Sequence, residues 1–376
     1  MKVAIVNCFD TYEHRVDLLH NYFRENGHNV SIIQSDFRHF QKVKRQDKKE
    51  DFIFIDTLPY YKNMSIGRMK SHYDFSKKAF KIVQEIKPDL LYVLIPANSL
   101  AKFAGEYKDK NKNVKLYFDL IDLWPETMPI GKVKSLPPFT FWKGLRDKYL
   151  NRADYVITEC DLYQEVLKDK LRDTKTKTIY LARENKKINS NPILDEERVN
   201  LCYLGSINNI IDIDTIKLIV NDINLLKPVT LHIIGDGESR DELINEVKSV
   251  GATVEYYGKI YDSEKKQEIF DKCHFGLNIM KKSVCVGLTM KSIDYFEAGL
   301  PVLNNIKGDT KNFVDKYNMG FNVEIIEAQE LAKSVTECTI KEILKMKNNT
   351  RRTFEELFVI EAFNKNIKNV IEDVSK

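Results

Sequence analysis

Short apolar runs recur along this chain, each followed by a stretch whose apolar positions repeat with helical period. Val3-Ala4-Ile5-Val6 is apolar without alternation, as in a strand covered on both faces. A polar turn from Asn7 to Glu13 leads into a segment that places Val16, Leu18, Leu19, Tyr22 and Phe23 at helical spacing and stops at Gly27. Asn29-Val30-Ser31-Ile32-Ile33 predicts the next strand. Strand, helix, strand within about 30 residues is a βαβ unit, which implies parallel strands and a right-handed crossover. The alternation continues with strands at 51–55, 90–95, 115–120, 155–158 and 178–180, and helices at 66–87, 98–109 and 141–151. The Lys/Arg/Gln-rich stretch 38–50 predicts a solvated loop. Pro129, Pro137 and Pro138 exclude regular structure throughout the stretch after Trp124-Pro125-Glu126.

Residues 184–198 are polar, contain Pro192 and lack periodicity, so they read as a linker. A second alternation follows, with strands at 201–204, 229–234, 253–257, 275–280 and 301–304 and helices at 215–226, 239–250, 263–272, 290–298 and 309–317. Residues 327–376 are mostly helical in pattern. The prediction is an α/β chain of two Rossmann-like, doubly wound parallel-sheet domains, 1–186 and 195–354, facing across a cleft lined by the carboxyl ends of both sheets. That architecture serves many chemistries and does not by itself give function.

Composition narrows the class. The 376 residues are 43% hydrophobic and 11% aromatic, which excludes a chain disordered throughout. No apolar run approaches the roughly 18 residues of a spanning helix, and the N-terminus lacks the pattern of a signal peptide. Six Cys, at 8, 160, 202, 273, 285 and 338, form no CxxC and no metal-ligand spacing, which fits a reducing, cytoplasmic setting. Residues 1–190 hold 35 Lys+Arg against 25 Asp+Glu, whereas the remainder holds 24 against 30. A basic first half suits an anionic partner, so a peripheral contact with the inner face of a membrane is an option beside a plain solvated surface. No nucleic-acid-binding signature is present.

Candidate chemistry concentrates in the second half. Three strands end in Gly-bearing loops: Leu204-Gly205-Ser206, Ile234-Gly235-Asp236-Gly237 and Tyr257-Gly258-Lys259. Glycine there lets backbone amides approach a phosphate or a base edge, or simply relieves strain in the turn. The segment Thr289-Met290-Lys291-Ser292-Ile293-Asp294-Tyr295-Phe296-Glu297-Ala298-Gly299-Leu300-Pro301-Val302 predicts a capped helix with a cation in its first turn and a carboxylate one turn on. Such a pair suits a diphosphate and a ribose diol. Asp212-Ile213-Asp214 looks like a metal-binding DxD but sits where a helix cap belongs. In the first half, Asp122 and Glu126 follow a strand's carboxyl end, and Thr11 lies in the first βα turn. His232, Phe141, Trp142 and Tyr149 read as packing residues, while Tyr60, Tyr61 and Trp124 could pack or stack on a sugar.

These residues resemble the GT-B glycosyltransferases, and within them the large retaining GT4-like family that includes bacterial capsule, O-antigen and adhesin transferases. Lys291, Asp294, Tyr295 and Ala298-Gly299-Leu300-Pro301-Val302 reproduce the family's hallmark. Gly27-His28-Asn29-Val30, Asp122-Leu123-Trp124-Pro125-Glu126, Tyr203-Leu204-Gly205-Ser206 and Ile234-Gly235-Asp236-Gly237 support it in order along the chain. The match spans about residues 1–325 and is similar, at the subgroup level, to transferases that extend glycans on serine-rich adhesins.

The resemblance implies a GT-B fold and a UDP-sugar donor in the second domain. Asp294 would hold the ribose. Lys291 and the amides around Thr289 would hold the diphosphate, with Gly205, Ser206 and Gly235 close to it. Gly258 and Lys259 would read the base. Arg183 and Thr11 are candidates for reaching the diphosphate from the first domain, and Lys282 for adding charge. It also implies that helix 355–376 packs back on the first domain, which would bind a glycan, glycoprotein or lipid-linked acceptor whose hydroxyl Asp122 or Glu126 could orient. No cofactor or metal is expected, since Lys, Arg and helix amides neutralise the leaving group.

Two departures stand out. Val286 occupies the place of a donor-sugar-binding acid, and Ser206-Ile207-Asn208-Asn209-Ile210 lacks the Arg and Lys that many relatives carry there. The expectation is a retaining, metal-independent hexosyltransferase acting in surface polysaccharide or adhesin glycosylation. A nucleotide-sugar 2-epimerase-like enzyme and a non-catalytic partner subunit are the alternatives, and a homo-oligomer is left open.

Overall fold

The computed structural model describes residues 1–128, 130–323 and 328–375. The chain forms two compact units, Met1–Ala182 with Ile360–Lys376, and Arg183–Val359. The first crossing therefore falls at Ala182/Arg183, against the 186 expected from the sequence.

The first unit contains β1 (Lys2–Asn7), β2 (Asn29–Ser35), β3 (Phe37–Arg38), β4 (Val43–Lys44), β5 (Phe52–Ile55), β6 (Leu90–Ile95), β7 (Lys115–Leu120), β8 (Tyr155–Thr158) and β9 (Thr176–Thr178). Seven of them make a parallel sheet in the order β5-β2-β1-β6-β7-β8-β9. All six residues of β6 are buried, as its unbroken apolar run requires. Strand order turns back at β1, which lies between β2 and β6, so a crevice opens beyond the carboxyl ends of β1 and β6. The last helix, Ile360–Ser375, contributes Phe363, Ile367 and Val370 to this unit's core beside Leu19, Phe23 and Tyr92.

Three local expectations are corrected. Within 38–50, β3 and β4 form a short antiparallel ribbon. The helix expected at 141–151 starts earlier, at Pro137, and runs to Asp147, because proline fits the first turn of a helix, where no amide donor is required. Phe141 on that helix is 66% exposed rather than packed.

The second unit contains β10 (Val199–Leu204), β11 (Val229–Ile234), β12 (Thr253–Gly258), β13 (Phe275–Asn278), β14 (Val302–Asn304) and β15 (Gly320–Asn322). They form a parallel sheet in the order β12-β11-β10-β13-β14-β15, which turns back at β10. Three residues of β15 are too few for a periodic signal, and the sequence reading missed it. Asn278, Asn304 and Asn322 occupy matched register on β13, β14 and β15. Their amides bond in a row, Asn278 Nδ2 to Asn304 Oδ1 at 2.9 Å and Asn304 Nδ2 to Asn322 Oδ1 at 2.8 Å, which fixes the carboxyl ends of these strands. Asp212 caps the helix Ile213–Asn224 through the Thr215 amide. Among the described residues no helix is long and apolar enough to cross a membrane.

Candidate active site

The helix Met290–Glu297 lies behind the switch point of the second sheet, and its sequence explains its position. Thr289 caps it by accepting from the Ser292 amide at 3.0 Å, while buried Ser292 accepts from Asn278 Nδ2 at 3.0 Å. At the far end Tyr295, fully buried, accepts from the Leu204 amide at 2.8 Å and donates to the Cys202 carbonyl at 3.1 Å. Its ring fills the space above Gly276, where a Cβ would meet Tyr295 Cε1 at 2.8 Å. One helix is thereby pinned to β10 and β13, the two strands flanking the crevice.

Lys291, in the first turn, sets its Nζ over the Tyr203 ring at 4.7 Å from the centroid. Tyr203 Oη in turn donates to the Ser206 carbonyl at 2.9 Å, so the ammonium stands beside the loop that leaves β10. Burial pulls the Lys291 pKa down to about 8, and no described carboxylate lies within ion-pair distance of it. A partly buried cation over an aromatic ring, without a described carboxylate partner, is poised for an anion.

The Gly-bearing loops lock onto one another. Gly205 N donates to the Ile234 carbonyl at 2.9 Å and Gly235 N to the Gly258 carbonyl at 2.8 Å. A Cβ on Gly235, at φ +146°, would lie 1.9 Å from the Gly205 carbonyl oxygen. Gly235 thus serves the close approach of two loops, whereas nothing lies within 4 Å of a Cβ built on Gly205, which stays open to a ligand. Ser206, Lys259 and Lys282 are exposed around this edge.

Asp294 is engaged. Arg183 Nη1 donates to Asp294 Oδ1 at 2.7 Å and to Glu297 Oε2 at 2.6 Å. Arg183 belongs to the second unit, held through its own amide by the Phe358 carbonyl, rather than reaching in from the first domain. These three side chains border a cavity of about 510 Å³ that also touches Lys186, Lys187 and Gln267.

In the first unit, Thr11 is exposed on the single turn Asp10–Tyr12 after β1. Tyr12 Oη donates to Asp122 Oδ2 at 2.7 Å, and burial raises the Asp122 pKa against the hydrogen bonds from Tyr12 and Thr127. Glu126 has a different setting. Burial works to raise its pKa, but Arg146 at 2.8 Å and Lys143 at 2.9 Å outweigh it and hold the carboxyl below its usual range. Glu126 therefore braces the helix Pro137–Asp147. An acid the sequence reading passed over, Glu159, directly follows β8. Burial pushes its pKa to about 8, helped by neighbouring Asp122 and Asp119 and opposed by Arg15. Its position one residue beyond a buried strand was the available signal. Among the described residues, no cluster of three or more His, Cys, Asp or Glu is placed to hold a metal ion.

Residues 198–339 match the model of a family described as glycosyl transferases group 1. The matched segment lies within the second unit. Over the whole chain the fold is GT-B. Sucrose-phosphate synthase from Thermosynechococcus elongatus is similar with a TM-score of 0.70 at 13% identity, covering 100% of this chain and 99% of its own. The lipopolysaccharide outer core galactosyltransferase WaaB gives 0.69 at 14%, covering 99% of each chain. Anabaena HepE in complex with UDP-glucose gives 0.60 at 14%, covering 100% and 99%. No curated protein sequence matches the chain. The matched segment spans the Gly-bearing loops and the Met290–Glu297 helix, whereas the cavity beside Asp294 also draws on Arg183, Lys186 and Lys187, which precede it.

Proposed function

We propose that this protein is a group 1 glycosyltransferase that moves a hexose from a UDP-sugar to a glycan, glycoprotein or lipid-linked acceptor, with retention of anomeric configuration and without a metal. The observation that carries the donor side is Lys291: a partly desolvated ammonium at a helix N-terminus, beside an open Gly205 and lacking a carboxylate partner. It supplies the charge a leaving diphosphate needs, together with the first amides of the helix. Asp294 would hold the ribose diol, with Arg183 turning wholly to Glu297. Anabaena HepE, of the same fold, was solved with UDP-glucose, which supports uridine as the base.

On the acceptor side, the Tyr12–Asp122 pair and Glu159 stand at the carboxyl ends of strands in the first unit. In a front-face displacement the bond from the anomeric carbon to the diphosphate breaks as the acceptor oxygen bonds to the same face. The acceptor proton passes to a departing phosphate oxygen, so the protein supplies position and charge rather than an obligatory base. A thermal-shift panel of nucleotide-sugars, followed by product analysis in the presence of EDTA, tests the proposal. Stabilisation by a UDP-sugar and transfer with retained configuration are expected. Failure of every uridine diphosphate sugar to stabilise the protein overturns it.

A further inference from the structure

A second cavity, about 200 Å³, opens in the first unit, and Arg68 forms part of its wall with Met64, Met69, Met128, Phe139 and Trp142. Arg68 is buried, 5% exposed. Its Nη1 donates to the Asn63 carbonyl at 3.0 Å, and its guanidinium lies over the Trp124 ring at 4.2 Å and the Phe9 ring at 5.4 Å. No described carboxylate comes within ion-pair distance of it. The unit's other buried guanidiniums are each matched, Arg15 with Asp119 and Arg146 with Glu126 and Asp147. Aromatic faces compensate a buried cation only in part. Burial accordingly lowers the Arg68 pKa, the direction an incoming anion would reverse.

The borders of the cavity narrow the ligand further. On the flanking segments Lys62 and Lys70 make no ion pair with a described carboxylate, whereas Lys143 and Arg146 are already matched by Glu126 and Asp147. Large apolar side chains stand in water along the same segments: Met64 at 55%, Ile66 at 72%, Leu136 at 52% and Phe141 at 66% exposure. A soluble sugar gains nothing from such an apolar lip, and a neutral lipid gains nothing from an unmatched guanidinium. A single molecule bearing an anion on a hydrocarbon chain uses both. Arg68 also lowers the pKa of Asp122 through its charge, so the cation lies near one acid of the proposed acceptor side.

We infer that this cavity seats a lipid-linked acceptor, its phosphate against Arg68 and its hydrocarbon chain leaving across Met64, Ile66 and Leu136. The inference rests on the transferase reading and names the acceptor class for it. Trp124 and Trp142, the chain's two tryptophans, both stand at the site, so intrinsic fluorescence reports on it directly.

Farnesyl phosphate, farnesol and inorganic phosphate are titrated into the full-length protein. Farnesyl phosphate should change the emission saturably, with farnesol and inorganic phosphate each weaker by about tenfold or more. Arg68→Met should bring farnesyl phosphate down to the farnesol level. Ile66→Glu, at an exposed position that does not threaten folding, should weaken farnesyl phosphate by a similar factor and decides the matter if Arg68→Met does not fold. Equal binding of phosphate and alcohol by the wild type, or unchanged binding in Ile66→Glu, overturns the inference. So does sedimentation with phosphatidylglycerol vesicles in place of any response to farnesyl phosphate, which would assign the lip to a membrane surface. Thermal shift with UDP on the same samples reads the donor site separately, so failure there counts against the transferase reading and not against the cavity.

Discussion

Lys291 and Glu159 are ionisable groups whose surroundings oppose their charge, and each gives a pH signature. With its pKa near 8, Lys291 loses its proton just above neutrality when the site is empty, so UDP affinity should fall as pH rises past 8. Lys291→Met should lower UDP affinity about tenfold to a hundredfold, the effect of removing a charge-assisted contact, as read by titration calorimetry. Asp294→Asn separates ribose from diphosphate: UDP binding should weaken while inorganic pyrophosphate binding does not. Glu159 affects the fold instead. Its folded pKa, about 8, is raised above the ordinary 4.5, so the native state holds the proton more tightly than the unfolded chain does. That stabilisation is complete below 4.5 and is lost as pH rises through 8, at up to about 1.4 kcal/mol per pH unit. Urea midpoints across this range should show the slope in the wild type and its loss in Glu159→Gln.

The Met290–Glu297 helix depends on a few contacts for its placement. Tyr295 reaches past it to the amide of Leu204 and the carbonyl of Cys202, both on β10. Tyr295→Phe leaves a buried amide without its acceptor and should cost about 1–3 kcal/mol in urea unfolding. Because the same residue sets the distance from the helix to β10, UDP affinity should fall as well. The capped start, the helical period and the Gly299 stop were all readable in the sequence. The pairing of Arg183 with Asp294 and Glu297 was not, because it joins residues far apart in the chain, and only the tertiary fold brings them together.

The two units do not follow the chain's order alone, since the last helix belongs to the first unit. Phe363, Ile367 and Val370 are each 1% exposed in its core, and burying each contributes about 1.5–3 kcal/mol. Their sum is comparable with the whole stability of a typical domain. Deleting residues 360–376 should therefore abolish or sharply lower the melting transition of the first unit in calorimetry. Stabilisation of the second unit by UDP should persist.

The alternating apolar runs and helical periods by themselves determined two parallel α/β sheets, because a strand covered on both faces must be apolar throughout and a crossover helix must be apolar on one side. The Lys291-to-Val302 segment likewise carried its cap, its cation and its acid in local order. Tertiary structure alone decided which charges are answered. Glu126 is matched by Arg146 and Lys143 and braces a helix, whereas Asp122 and Glu159 are left protonatable and Arg68 and Lys291 lack a carboxylate. The physical reason is that desolvation and ion pairing are set by distances between residues remote in the chain, which residue order does not encode locally.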